Sequence, residues 1–288
     1  MLVDIDLTQK SGQTSQTPWI QKDNKYTQIL KIQNTPTLIT VEQEDNNQLN
    51  YTSSVDLQEE LVKKSVYEIF DLDFNLNEFY KYLEEDPLLK PSIEFCHGLR
   101  LFHAINPLEC ILASISSANN SIKRWTQSIQ LIKDNYGESI TSDGITYSLF
   151  PDIETLTEIP VDVLKSYGLG YRVPYIQKTL HDIMDNPILL ELDKLSYPDA
   201  YEEVIKLSGV GPKVADCILL YGFHHYEVFP VDVWINRIIS YLYFNNEKTN
   251  PNKIRQWGME KFDKYAGYVQ LYLFHYARKS GLLEKIKK

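Results

Sequence analysis

The sequence predicts an α+β protein, mainly helical, with a small antiparallel sheet at its N-terminus. Residues 1–65 hold short β-like runs between turn-rich pieces, and from Val55 onward the hydrophobic period becomes helical. Residues 200–240 then read as two helices around a glycine-rich loop. At 288 residues the chain can bury a sizeable core and hold two or three domains. Its 43% apolar and 12% aromatic content is that of a folded chain and excludes a disordered one.

Taken in order, Leu2 to Leu7, Tyr26 to Ile32, Thr37 to Val41 and Leu49 to Tyr51 read as strands. Lys22-Asp23-Asn24 and Glu44-Asp45-Asn46-Asn47 read as turns between them. Leu61, Val62, Val66, Ile69 and Phe70, then Phe79, Tyr80 and Leu83, recur at helical spacing and read as core faces. Pro107 stands where a helix should begin, because proline in a first turn loses no hydrogen bond. The domain boundary is therefore placed so that residues 1–104 form the sheet domain with its following helices and residues 105–288 the helical domain. His97 and His103 have neither metal-ligand spacing nor a carboxylate pair nearby and read as surface or packed histidines.

The central stretch is a helix-hairpin-helix. One helical pattern ends at Lys206-Leu207, Ser208-Gly209-Val210-Gly211 forms the loop, and Pro212 opens the second helix. Gly209, Val210 and Gly211 let the backbone come close to a phosphate, whose oxygen the free N–H groups of the new helix can hold. Lys213 follows, and nineteen residues later Asp232 closes the apolar run Val228-Phe229-Pro230-Val231. The positive end of a helix disfavours a second positive charge, so a partly desolvated Lys213 is expected to have a larger nucleophilic fraction. Amine plus carboxylate beside a DNA clamp suggests chemistry at a sugar carbon. The plainer alternative, favoured for a Gly-Val-Gly hairpin alone, is a phosphate contact at Lys213 and a helix N-cap at Asp232.

Three further stretches stand out. In SISSANNSIKRW, residues 114–125, two asparagines interrupt an apolar helix before Lys123, Arg124 and Trp125. Asparagine pairs also simply terminate helices. In GLGYRVPY, residues 168–175, two glycines deliver Tyr171 and Arg172 together, which suits a wedge in a duplex or a plain turn with a packed tyrosine. Gln270 and Phe274 lie one turn apart on an amphipathic helix, a spacing that ordinary core residues share.

The net charge of −10 is at first sight against a nucleic-acid partner. Residues 206–288, however, hold 13 Lys and Arg against 7 Asp and Glu, a balance of +6, which leaves −16 on residues 1–205. A positive half behind the hairpin is compatible with DNA binding. Cys96, Cys110 and Cys217 form no CxxC pair, so neither a zinc site nor a disulfide framework is indicated. MLVDIDLTQK is no signal peptide and no run reaches eighteen apolar residues, so a soluble intracellular protein with no membrane contact is expected.

LSGVGPKVADC followed by VFPVDV resembles the helix-hairpin-helix DNA glycosylase superfamily, and the Lys-Val-Ala-Asp-Cys version resembles its 8-oxoguanine DNA glycosylase branch. Likeness extends over nearly the whole chain. Three cysteines cannot build the four-cysteine iron–sulfur cluster of the endonuclease III and adenine glycosylase branches. Trp234 and Ala277 stand where the eukaryotic relatives carry a histidine–aspartate pair, which resembles the bacterial or archaeal subtype.

The resemblance implies a mainly helical glycosylase core and a role for each motif. Lys213 would attack the sugar carbon C1′ and form a Schiff base, with Asp232 stabilising the cationic sugar. Gly12, in Ser11-Gly12-Gln13, would accept the N7–H that distinguishes 8-oxoguanine. Cys217 and Phe274 would sandwich the extruded base and Gln270 would bond its Watson–Crick edge. Asn119 and Tyr171 would fill the gap in the duplex, while Arg124 and Arg172 would read the opposite cytosine. The implied protein is a monomeric bifunctional glycosylase and abasic-site lyase acting on double-stranded DNA that contains oxidised guanine. It would work in the cytoplasm or nucleoid of a prokaryote, or in a eukaryotic nucleus. The chemistry needs no metal; a monovalent cation held by the hairpin against a phosphate is the one cofactor left open. The rivals are a monofunctional alkyl-purine glycosylase and a non-catalytic helix-hairpin-helix DNA-binding protein, and neither forms a covalent imine.

Overall fold

The structure, a computed structural model, describes residues 2–44 and 49–286; all but the first residue of the turn expected at Glu44-Asp45-Asn46-Asn47 lies outside them. Helix α1 (Ile5–Lys10) stands where a strand was expected from Leu2 to Leu7. Asp4 caps it, Oδ1 accepting from Leu7 N at 2.8 Å. Ile5, Thr8 and Gln9 are buried on one helical stripe. A short alternation yields to a cap and a buried i, i+3, i+4 face that begin inside it.

The sheet is a meander of β1 (Ile20–Lys22), β2 (Lys25–Ile32), β3 (Thr35–Gln43) and β4 (Leu49–Ser53), each antiparallel to the next. Ile32 pairs with Thr35, and between them Gln33 and Asn34 take φ of 49° and 62°. Such a two-residue turn matches the twist of its strands. On one face Leu30, Ile39 and Val41 pack with Val62 and Val66 of α2 (Glu59–Ile69) and with Phe70. On the other face Ile29 and Leu38 meet Tyr147. Burial on both faces explains why β2 does not alternate cleanly in sequence.

Helices α3 (Leu76–Glu85), α4 (Ser92–Phe95), α5 (Pro107–Ser117) and α6 (Ile122–Tyr136) follow, α5 capped by Asn106 with Pro107 in its first turn as expected. A second hairpin, β5 (Ser139–Ser142) and β6 (Ile145–Ser148), carries Tyr147 onto the sheet. The chain continues through α7 (Ile153–Glu158), α8 (Val161–Ser166), α9 (Val173–Asp185) and α10 (Tyr197–Val204). It ends with α11 (Pro212–Phe223), α12 (Val233–Tyr243), α13 (Pro251–Phe262), α14 (Ala266–Lys279) and α15 (Leu282–Ile286).

One buried cluster joins Phe79, Leu83 and Leu101 to α5, α11, α12 and α14, so the helical core draws on residues both before and after residue 104. Helix α11 is its axis. Every residue from Val214 to Phe223 is buried, which leaves Pro212 and Lys213 as the end that reaches the surface. Among the described residues no helix is long and apolar enough to cross a membrane.

Candidate active site

The loop between α10 and α11 is built to hold its shape. Val210 N donates to Leu207 O at 3.2 Å and the Val210 side chain is buried, so this residue anchors the turn from inside. Gly209 has φ of +78°, and a Cβ there would meet the Tyr175 ring at 2.7 Å, so only glycine fits. Gly211 caps α11 without a side chain. The first-turn N–H groups are thereby left for an anion, as a phosphate clamp requires.

Lys213 is the second residue of α11 and half-buried. Asp232 is the N-cap of α12: Oδ1 accepts from Trp234 N at 2.9 Å and Ile235 N at 2.7 Å. Both bonds use Oδ1, so Oδ2 is not consumed by capping. The cap and the functional reading of Asp232 are thus the same geometry.

Lys213 and Asp232 line one pocket with Cys217, Gln270, Phe274 and Gly12, the residues that the sequence singled out for the base. Burial raises the Cys217 thiol, with the Lys213 charge pulling it back, so Cys217 presents a neutral wall. Gln270 is 8% exposed, and its Oε1 is buried without a hydrogen-bond partner. A buried orphan acceptor is costly unless a ligand satisfies it.

The opposite wall is the segment Ser11 to Thr17, in which every residue but the half-buried Gly12 is polar and buried. Gln13 Nε2 donates to Ser11 Oγ and Arg100 O, both at 2.9 Å, and its Oε1 accepts from Phe102 N at 2.8 Å. Thr14 Oγ1 and Ser114 Oγ lie 2.8 Å apart. Thr17 sits on a buried ion pair, its N donating to Glu109 Oε1 at 3.1 Å and its Oγ1 accepting from Lys133 Nζ at 3.0 Å. These bonds fix Gly12, whose φ is +94° and whose Cβ position is occupied by Ile122 Cδ1 at 2.4 Å.

Sequence reading missed several of these contributors. Tyr221 and Leu271 complete the pocket lining. Arg278 stacks on Phe274 at 5.4 Å and donates Nη1 to Ser11 O at 3.3 Å, tying the two walls together. Asp216, one turn beyond Lys213, is held by Arg255 and Tyr197. The buried aspartate in the Lys-Val-Ala-Asp-Cys motif was the one visible signal for that arrangement.

Beyond the pocket mouth lies a cleft of about 640 Å³, in which Asn119, Arg124 and Trp234 join Lys213 and Asp232. Asn119 and Arg124 are exposed. Arg237 lies 5.3 Å above the Trp234 ring. Tyr171 and Arg172 line neither cavity. They occupy the turn Gly170–Arg172 beside Asn119. Tyr171 is 57% exposed, whereas Arg172 is only 6% exposed.

A hairpin that leaves first-turn N–H groups free, an open cleft and a pocket side by side suit a protein that takes one nucleotide out of a duplex to work on it. Residues 2–111 match the family profile described as the 8-oxoguanine DNA glycosylase N-terminal domain, and residues 112–264 match the HhH-GPD superfamily of base excision DNA repair proteins. A probable N-glycosylase/DNA lyase of Methanothermobacter thermautotrophicus is 39% identical, over 99% of this chain and 96% of its own. The N-glycosylase/DNA lyase of Saccharomyces cerevisiae is 29% identical over 92% and 81%. Among solved structures, the 8-oxoguanine glycosylase/lyase of Clostridium acetobutylicum, bound to double-stranded DNA with cytosine opposite 8-oxoguanine, superposes with a TM-score of 0.85 at 31% identity, covering 97% of this chain and 93% of that one. The chain belongs to the HhH-GPD superfamily, in its 8-oxoguanine glycosylase branch, and is a DNA glycosylase with lyase activity.

Proposed function

We propose that this enzyme excises 8-oxoguanine lying opposite cytosine in duplex DNA and then cuts the strand, with Lys213 as nucleophile. The reading is carried by the orphan Gln270 Oε1 in a pocket whose mouth holds Lys213 and Asp232. A guanine-type Watson–Crick edge presents N1–H and N2–H donors, which an unpaired acceptor satisfies; an adenine edge presents an N1 acceptor there. The Clostridium acetobutylicum relative bound to DNA with cytosine opposite 8-oxoguanine supports the same substrate. Double-stranded DNA containing oxidised guanine is the partner.

In the proposed sequence the lesion nucleotide swings into the pocket, and Asn119 and Tyr171 occupy the space it leaves. Lys213 Nζ attacks C1′, the C1′–N9 bond breaks, and its electron pair leaves with the base, which takes up a proton. The amine loses a proton and the sugar ring opens to a Schiff base between Nζ and C1′. Loss of a proton from C2′ then expels the 3′ oxygen with the C3′–O electrons, cutting the strand. Asp232, held as a cap with Oδ2 uncommitted, stabilises the positive sugar character of the transition state. Arg124, exposed in the cleft, offers a planar fork to the acceptors of cytosine.

Borohydride trapping on a duplex with 8-oxoguanine opposite cytosine tests this. A covalent adduct is expected with the wild-type protein and none with Lys213→Gln or with undamaged DNA. Base release without any adduct would replace the reading with the monofunctional one.

A further inference from the structure

We infer that Tyr268 and Tyr272 are positioning residues of the base pocket: through the buried residues 99–102 they hold its Gln270 wall in register with its Gly12 wall. The consequence for excision rests on the proposed extrusion of a base from duplex DNA. Two sets of bonds interleave along this short segment. Arg100 O and Phe102 N grip the side chain of Gln13, the neighbour of Gly12, at 2.9 Å and 2.8 Å. Between them Leu101 N donates to Tyr268 Oη at 3.3 Å, and Leu99 O accepts from Tyr272 Oη at 2.8 Å. Tyr268 and Tyr272 lie one turn apart on α14, and Gln270, midway between them, lines the pocket. Four residues thus separate the two walls, bonded to one through Gln13 and to the other through two phenols.

The orientation of Tyr268 is itself fixed. Its hydroxyl donates to Asp71 Oδ2 at 2.6 Å and its ring stacks on Phe74 at 3.9 Å. Asp71 Oδ1 accepts from Tyr226 at 2.8 Å. Arg100, whose carbonyl holds Gln13, donates Nη1 to Asp71 O and to Phe74 O, which closes the loop of contacts. Burial pushes the phenols of Tyr268 and Tyr272 well above their ordinary value, so both remain donors through the neutral range. The pocket has a volume of about 70 Å³, less than half of the roughly 150 Å³ that admits a benzene ring. Its walls therefore yield as a purine enters, and the tie returns Gln270 and Gly12 to one register on the base.

Hydrogen exchange of the DNA-free protein and single-turnover assays at saturating enzyme test the tie together. The double variant Tyr268→Phe with Tyr272→Phe keeps both rings and removes both hydroxyls. Amides 11–17 are expected to exchange roughly tenfold faster in it, the effect of losing a hydrogen bond to a charged acceptor, although both hydroxyls bond outside that segment. Excision of 8-oxoguanine should fall about tenfold, as it does when a base is slightly misplaced, and cleavage at a preformed abasic site, which has no base to grip, by less than about twofold. Tyr243→Phe is the control for a general loss of stability. It removes a phenol–carboxylate bond of the same kind, from α12 to Asp86 Oδ2 at 2.8 Å, and should leave the exchange of 11–17 and the ratio of the two activities at wild-type values. Unchanged exchange of 11–17 in the double variant overturns the inference, as do equal losses of both activities or a control that reproduces the double variant. Should the double variant not fold, Tyr268→Phe alone is read in the same way. Absence of 8-oxoguanine release by the wild-type protein strikes the substrate reading alone, since the exchange comparison needs no DNA.

Discussion

Arg255 grips both carboxylate oxygens of Asp216, Nε to Oδ2 at 2.6 Å and Nη2 to Oδ1 at 2.7 Å, three residues after the proposed nucleophile. Asp216 has no solvent exposure, and Arg255 stacks at 4.4 Å on the Tyr201 ring. The pair ties α11, and hence Lys213, to α13. Breaking it from the arginine side leaves a buried carboxylate uncompensated, which costs about 3–5 kcal/mol. Arg255→Met should therefore melt roughly 10 °C below the wild-type protein. Because the loss comes from an unpaired charge, the double variant Asp216→Leu with Arg255→Met should recover most of it. Thermal unfolding of the three proteins checks this; a single variant as stable as wild type would remove the buried pair from the account of how Lys213 is held.

Gly12 carries two constraints of different kinds. A methyl group there meets Ile122 Cδ1 at 2.4 Å, the end of a side chain that can turn away, whereas φ of +94° is a property of the backbone. Gly12→Ala should cost about 1–3 kcal/mol from backbone strain alone. Adding Ile122→Ala should relieve the clash and leave that cost. Since Gly12 lines the pocket beside Gln270 and Phe274, single-turnover excision of 8-oxoguanine should fall at least about tenfold. Cleavage at a preformed abasic site should fall much less. Equal losses in both assays would mean that the segment around Gly12 supports the whole site and not base recognition.

The orphan acceptor of Gln270 sets stability against function. Replacing a buried polar group that has no partner by an apolar one of similar shape is neutral or stabilising. Gln270→Met should keep or raise the melting temperature by up to about 3 °C, which corresponds to roughly 1 kcal/mol. The same change should lower excision of 8-oxoguanine by about tenfold or more, since the edge of the base loses its acceptor. A destabilised Gln270→Met protein would show that the amide is satisfied in the free enzyme.

These residues also show what a sequence can reveal. Lys213 and Asp232 were legible from the hairpin and a local cap, whereas Cys217, Gln270 and Phe274 were singled out only by the family resemblance, because one-turn spacing on a helix is equally that of core residues. The Leu2 to Leu7 alternation misled, since the burial that chooses between strand and helix comes from distant contacts such as Asp4 N to Gly98 O at 2.8 Å. Asp143-Gly144 was a readable hairpin signal that went unread. The bonds of Arg172 to the carbonyls of Ala118 and Asn119 were not readable at all, because backbone carbonyls carry no residue identity. Arg278 likewise meets Ser11 O across 267 residues.

His275 gives the pH dependence a definite sign. It is 5% exposed on α14, its Nδ1 has no partner, and burial, then the charges of Lys279 and Arg278, push it down to about 4. A base depressed on folding is neutral in the native state, so its contribution is complete above the unfolded value of about 6.5 and is lost as pH falls toward 4. Over that window the loss is at most about 3 kcal/mol. His103, lowered by burial, adds in the same direction, while Asp71, raised by burial, opposes it because the native state takes up its proton first. The wild-type curve therefore mixes signs, and the difference from His275→Gln isolates one group. Denaturant unfolding between pH 7 and pH 4 should show the variant losing less stability than wild type, the gap opening by up to about 1.4 kcal/mol per pH unit below 6.5. Parallel curves would mean that His275 is protonated in the folded protein or reached by solvent.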